Sequence, residues 1–158
     1  MDARECAVRL IKRCKTNDPF EIARLLDIIL IYAPLIELNG FYQYHKRNHI
    51  IYLADSLEEL VARFVLAHEI GHMQMHRDLN TVFLDTHIFN PHNRYERQAN
   101  TFAAELLLPD ELLLESPECS IYQLAQSYGL PVEYAARDAK AKCPSTDEFV
   151  VRTRCESE

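Results

Sequence analysis

The sequence predicts an α+β domain in which a small antiparallel sheet packs on helices. Apolar residues recur at helical spacing in residues 2–15, 57–77 and 94–108. Between the first two of these stretches lies a block, 28–53, of short β-branched and aromatic runs separated by turn residues. The length of 158 residues, with 48% hydrophobic and 26% charged residues, fits a single domain with one sizeable core.

The elements follow in order. Residues 2–15 form a helix in which Cys6, Leu10 and Cys14 recur at every fourth position, so the cysteines act as small hydrophobes of a core face. Asp18-Pro19-Phe20-Glu21 starts a second helix. Asp18 caps it, Pro19 suits the first helical position, and Glu21 completes a capping box. Ile22, Leu25 and Leu26 give its buried stripe. Ile28 to Tyr32, short and β-branched, reads as a strand rather than a continued helix. Asn39-Gly40 signals a turn between 35–38 and 41–45. A further strand, 49–53, follows a solvated tip at Lys46 and Arg47.

Ser56 or Asp55 caps the next helix, with Glu58 and Glu59 in its first turn, and the helix runs to about Arg77. Leu57, Val61, Val65, His68 and His72 share one stripe of it. Gly71 costs about 1 kcal/mol of helix propensity, which implies that another backbone comes close there. Residues 78–92 read as a loop with a short strand near Val82 to Leu84. Asn93 caps a helix from Arg94 to Leu108, ended by Pro109. On it Ala99, Ala103 and Ala104 permit close packing. Asp110 to Glu115 make a short helical turn. Ser120 to Tyr128 and Val132 to Lys142, joined at Gly129-Leu130-Pro131, read as a helix-turn-helix-like pair. The expected division is an N-terminal helix, 1–15, a core, 18–115, the helix pair, 116–142, and a tail, 143–158, in one domain spanning 1–158.

Composition excludes several classes of function. A formal net charge of −7 disfavours non-specific attachment to nucleic acid or anionic membrane. The start, Met1 to Glu5, is charged and has no apolar signal core. The longest apolar run, Ile28 to Ile36, contains Pro34 and is too short to span a bilayer. The five cysteines are an odd number, which favours reduced thiols over a disulfide framework, and none lies in a Cys-x-x-Cys pair, which argues against a zinc ribbon. A cytoplasmic protein is expected.

The chemistry concentrates at His68-Glu69-Ile70-Gly71-His72. Two histidines four apart project from one helix face, one turn above the other, and can reach one Zn²⁺. Glu69 leans toward the open coordination position, where it can take a proton from an activated water. A catalytic zinc needs a third protein ligand, and Glu96 is the candidate, arriving from the next long helix. Asn100 lies one turn further on the same face, where its carbonyl can accept the free ring N–H of His68 or His72. His76 continues the histidine series, but about 12 Å of helix separates it from His68. It cannot share one ion with His68 and instead shapes the cleft, helps hold substrate or is simply packed. A donor to a developing oxyanion is also needed; Tyr95, Tyr42, Tyr44, Tyr52 and His76 are eligible, and the sequence does not choose among them.

Together with Asp18 to Ala23 and His68 to His72, the stretch Glu96-Arg97-Gln98-Ala99-Asn100-Thr101-Phe102-Ala103-Ala104-Glu105-Leu106-Leu107-Leu108-Pro109 resembles the ImmA/IrrE family of metallopeptidases over about residues 18–142. The resemblance implies a zincin-like fold of the gluzincin type. It makes His68, His72 and Glu96 metal ligands and Glu69 the catalytic carboxylate. The family's phage and mobile-element anti-repressors cleave a cognate helix-turn-helix repressor. By that resemblance this chain is expected to be a zinc-dependent endopeptidase, with Mn²⁺ as an alternative metal, acting on a transcriptional repressor. Two rival readings are a metal-bound module that sequesters a regulator without cutting it, and a DNA-binding regulator using 120–142. Against the latter, Glu133 and Asp138 accompany Arg137, Lys140 and Lys142.

Overall fold

The computed structural model describes residues 2–76, 94–115 and 120–130. Their order is α1 (Ala3–Cys14), α2 (Pro19–Leu25), β1 (Ile29–Ala33), β2 (Gly40–His45), β3 (Asn48–Ala54), α3 (Glu59–Met75), α4 (Arg94–Leu107), α5 (Asp110–Glu115) and α6 (Ile121–Ser127). The α+β class is as the sequence predicts. The strand expected near Val82 to Leu84, the second half of the C-terminal helix pair and the tail lie outside the described residues.

The helix starts illustrate how local chemistry sets local structure. The Asp18 carboxylate accepts from the Phe20 amide at 2.9 Å, and Pro19 occupies the first turn. Glu21 faces Arg24 at 3.6 Å. Ser120 and Gln123 form a reciprocal capping box at the head of α6. The α3 start differs from expectation: Glu58 is its N-cap and supplies no side-chain bond. Asp55 and Ser56 are consumed in the tight turn that closes Leu57 back onto the Ala54 carbonyl.

The sheet is mixed, which corrects the all-antiparallel expectation. Its order is β1-β3-β2, with β1 parallel to β3 and β2 antiparallel to it. No strand forms over 35–38. That segment instead carries the chain across the end of β3, from one edge of the sheet to the other. The tight turn falls at Lys46 and Arg47, whose φ values of 47° and 69° suit a two-residue hairpin. Gly40 serves close packing: a Cβ there would come within 2.8 Å of both the Tyr52 carbonyl and Val65 of α3. The sheet face carrying Gly40, Tyr42, Ile51 and Leu53 is thus the one laid on α3.

Helix α3 is the centre of the molecule. Every residue from Phe64 to Met73 is buried, as expected of a helix enclosed on all sides. Val61, expected on the core stripe, is 41% exposed. Helix α4 packs along α3, and α1 packs on α4 and α3. Cys6 and Leu10 of α1 are buried in that contact, as expected of small hydrophobes. Arg4 at its start pairs with Glu105 and Asp110.

Candidate metal centre

The α3–α4 contact places the site. Gly71 makes it possible, because a Cβ there would lie 2.9 Å from Phe102 and 3.3 Å from the Ala99 backbone. The expected close approach is therefore that of α4. With the helices this close, Glu96 and Asn100, one turn apart on α4, face His68 and His72, one turn apart on α3.

His68, His72 and Glu96 are buried to within 1% of full exclusion, and their ligand atoms all lie within 4.8 Å of one another. The two Nε2 atoms are 3.0 Å apart. Glu96 Oε2 is 3.2 Å from His68 Nε2, and Oε1 is 3.3 Å from His72 Nε2. Neither carboxylate oxygen has a well-directed hydrogen bond despite these short separations. The four atoms are gathered at one point between the helices. Two imidazole nitrogens and a carboxylate make the donor set of a catalytic zinc site. A divalent cation at that point would satisfy groups that are otherwise costly to bury together.

The neighbouring side chains set the state of these donors. Asn100 Oδ1 lies 2.7 Å from His68 Nδ1. An amide oxygen only accepts, so Nδ1 carries the proton and Nε2 turns its lone pair to the cluster. Of the two histidines the sequence left open for Asn100, the structure selects His68. Burial lowers the His72 pKa, against the pull of Glu96, and so favours the neutral, ligating form. Burial alone would raise the Glu96 pKa, but the imidazoles of His68 and His72 outweigh it and hold the carboxyl at about 2. At neutral pH Glu96 brings one negative charge to the cluster, and burial favours uncharged His72.

Glu69 is fully buried and directly follows His68 on α3. His76 closes the series at the end of α3, 7% exposed, with its ring centre 5.4 Å from that of His72 and 5.0 Å from Tyr95. Burial, then the neighbouring His72, lower its pKa to about 4, against hydrogen bonds at the Tyr95 and Met75 backbone that favour the proton. His76 is not among the converging groups, as its distance along the helix required.

The structure also sorts the tyrosines. Tyr52 stacks on Phe41 with ring centres 4.4 Å apart, on the sheet face turned away from α3. Tyr44 is 54% exposed. Tyr42 is buried on the α3 side, its hydroxyl 2.8 Å from His49 Nδ1. No helical spacing marks His49 in the sequence, and the pair's only signal there is that strand alternation and the hairpin register bring both residues to one face.

A small mixed sheet backing two packed helices, with a buried His-His-Glu cluster between those helices, defines a metallopeptidase-type domain. The chain belongs to the ImmA/IrrE family of metallopeptidases: the family's IrrE N-terminal-like domain matches residues 26–140. It is 40% identical over 130 residues to a protein of Bacillus phage phi105 named uncharacterized immunity region protein 2, covering 80% of this chain and 82% of that one. It is 33% identical over 109 residues to metallopeptidase ImmA of Bacillus subtilis, covering 68% of this chain and 63% of that protein. Among the described residues no helix is long and apolar enough to cross a membrane.

Proposed function

We propose that the chain is a zinc-dependent endopeptidase of the gluzincin type that cuts a protein, namely the transcriptional repressor of its own genetic element. The observation that carries this reading is the convergence of His68, His72 and Glu96 beside a buried Glu69. Two nitrogen donors and one carboxylate leave a fourth position open, as catalytic rather than structural zinc requires. The same donors accept Mn²⁺.

A divalent cation in the cluster would lower the pKa of a water toward about 7 and polarise the scissile carbonyl. The protein's own groups do the remaining work. His68 and His72 present neutral nitrogens, and Asn100 keeps His68 in the ligating tautomer. Glu96 supplies the charge that favours a cation. Glu69 takes the proton of the attacking water and returns it to the leaving amine. His76 and Tyr95, in ring contact at the end of α3, hold the substrate or its oxyanion. An extended substrate segment adds to the edge at β2, the outer strand that packs on α3.

The choice of a repressor rests on the family and on the two relatives, one named for a phage immunity region and one named as a metallopeptidase. In this reading the enzyme works in the cytoplasm, as one catalytic domain over 18–115 with the segments 1–15 and 116–142 supporting it. The test is co-expression of the chain with the repressor encoded beside it. Loss of intact repressor, prevented by Glu69→Gln, supports the reading. Repressor that is bound but stays intact points to sequestration.

A further inference from the structure

Two buried ring nitrogens beside the metal centre have no hydrogen-bond partner, and they belong to neighbouring turns of α3. The first is on His72. This residue turns Nε2 to the cluster, 3.0 Å from His68 Nε2 and 3.3 Å from Glu96 Oε1. A histidine that ligates through Nε2 carries its proton on Nδ1. His72 Nδ1 is buried and bonds to nothing, whereas the matching nitrogen of His68 has Asn100. A buried N–H left in this state costs about 1–3 kcal/mol.

The second nitrogen is Nε2 of His76, a residue only 7% exposed. Its chemistry is the complement of the first. The backbone of Tyr95 and that of Met75 favour a proton on His76. Only a carbonyl does this, because an amide N–H can only donate. Nε2 bonds to nothing, so the carbonyls act at Nδ1 and the proton of the neutral ring sits there. His76 Nε2 is then an acceptor without a donor, and His72 Nδ1 a donor without an acceptor. The His76 amide bonds the His72 carbonyl at 2.8 Å, which sets the His76 ring over the His72 turn, with ring centres 5.4 Å apart. At that spacing a direct hydrogen bond or a single bridging water can join the two rings.

We propose that His76 is a positioning residue of the metal centre: its Nε2 accepts the Nδ1 proton of His72, directly or across one water, and holds His72 in the ligating tautomer. Each histidine ligand then has its own orienting neighbour, Asn100 from α4 for His68 and His76 from the end of α3 for His72. The inference rests on the reading of His68, His72 and Glu96 as metal ligands and not on cleavage. In the His76–Tyr95 pair the donor to an oxyanion is then Tyr95, because neutral His76 has no second N–H.

The test uses the full chain with no substrate present, so a protein that meets it and cuts nothing defeats the peptidase reading alone. His76→Leu keeps bulk and removes the acceptor. It should weaken Zn²⁺ binding by about 10–100-fold in competition against a chromogenic chelator. His76→Gln keeps an acceptor oxygen and should recover most of that loss. In zinc-loaded protein with isotope-labelled histidine, the His68 and His72 Nδ1–H groups should each give a slowly exchanging signal. His76→Leu should shift the His72 signal and speed its exchange while leaving that of His68 in place. If His76→Leu does not fold, His76→Met, which is more adaptable in shape, takes its place. Unchanged affinity in the leucine variant, equal losses in the leucine and glutamine variants, or a His72 signal that ignores the substitution overturns the proposal. Wild-type protein that binds no zinc overturns it together with the metal site.

Discussion

Asn100 Oδ1 and His68 Nδ1 are 2.7 Å apart and fully enclosed between α3 and α4. Because the amide oxygen can only accept, this contact fixes which imidazole nitrogen is bare and aims it at Glu96 and His72. The donor set is thus arranged by a neighbour that does not itself belong to it.

Replacing that neighbour separates assembly of the site from its donors. Asn100→Ala should leave the fold intact and weaken metal binding by about 10–100-fold. Competition against a chromogenic chelator measures it. Affinity within twofold of wild type would remove Asn100 from this role.

Gly71 reports on the helix contact itself. Alanine is favoured over glycine by about 1 kcal/mol within a helix, yet the added Cβ would lie 2.9 Å from Phe102. Overpacking should dominate, with a net loss of about 1–3 kcal/mol in denaturant unfolding. Phe102→Leu should recover part of that loss when combined with Gly71→Ala. A stabilised Gly71→Ala protein would show that α3 and α4 are not held this closely.

The acid response of the metal-free chain follows from the same burial. Burial lowers the pKa of His72 below 6.5 and that of His76 to about 4, so the unfolded chain takes up these protons first. This stability is complete above pH 6.5 and is lost as the pH falls toward about 4. Glu96, held at about 2 against 4.5, loses its share below pH 4.5. Melting temperatures of chelator-stripped protein should be level above neutrality and decline through the acid range. His76→Gln should flatten the upper part of the decline. A melting temperature that rises on acidification would contradict these assignments.

Much of the centre was legible because it is written at helical spacing. His68 with His72 and Glu96 with Asn100 are each one turn apart, so each pair shares a face once its helix is granted. Gly71 signalled a close neighbour, and α4 proved to be that neighbour. The choice of His68 over His72 as the partner of Asn100 was not legible, since it depends on the axial offset between two helices. The sheet was misread for a similar reason. Alternation reveals a strand but not its direction, and the parallel β1–β3 pair arises from the way 34–39 crosses the sheet. Asp55 and Ser56 had the chemistry of caps but were taken up by a turn, and Val61 fitted the stripe but is left 41% exposed.

The central claim is that Glu69 moves the proton in a metal centre built by His68, His72 and Glu96. Its most direct measurement is cleavage of purified repressor by wild-type and Glu69→Gln protein, each loaded with Zn²⁺ and assayed for bound metal. The account predicts equal metal content and a cleavage rate lower by about 10²–10⁴-fold or more in the variant. Cleavage at the wild-type rate by metal-loaded Glu69→Gln would contradict it.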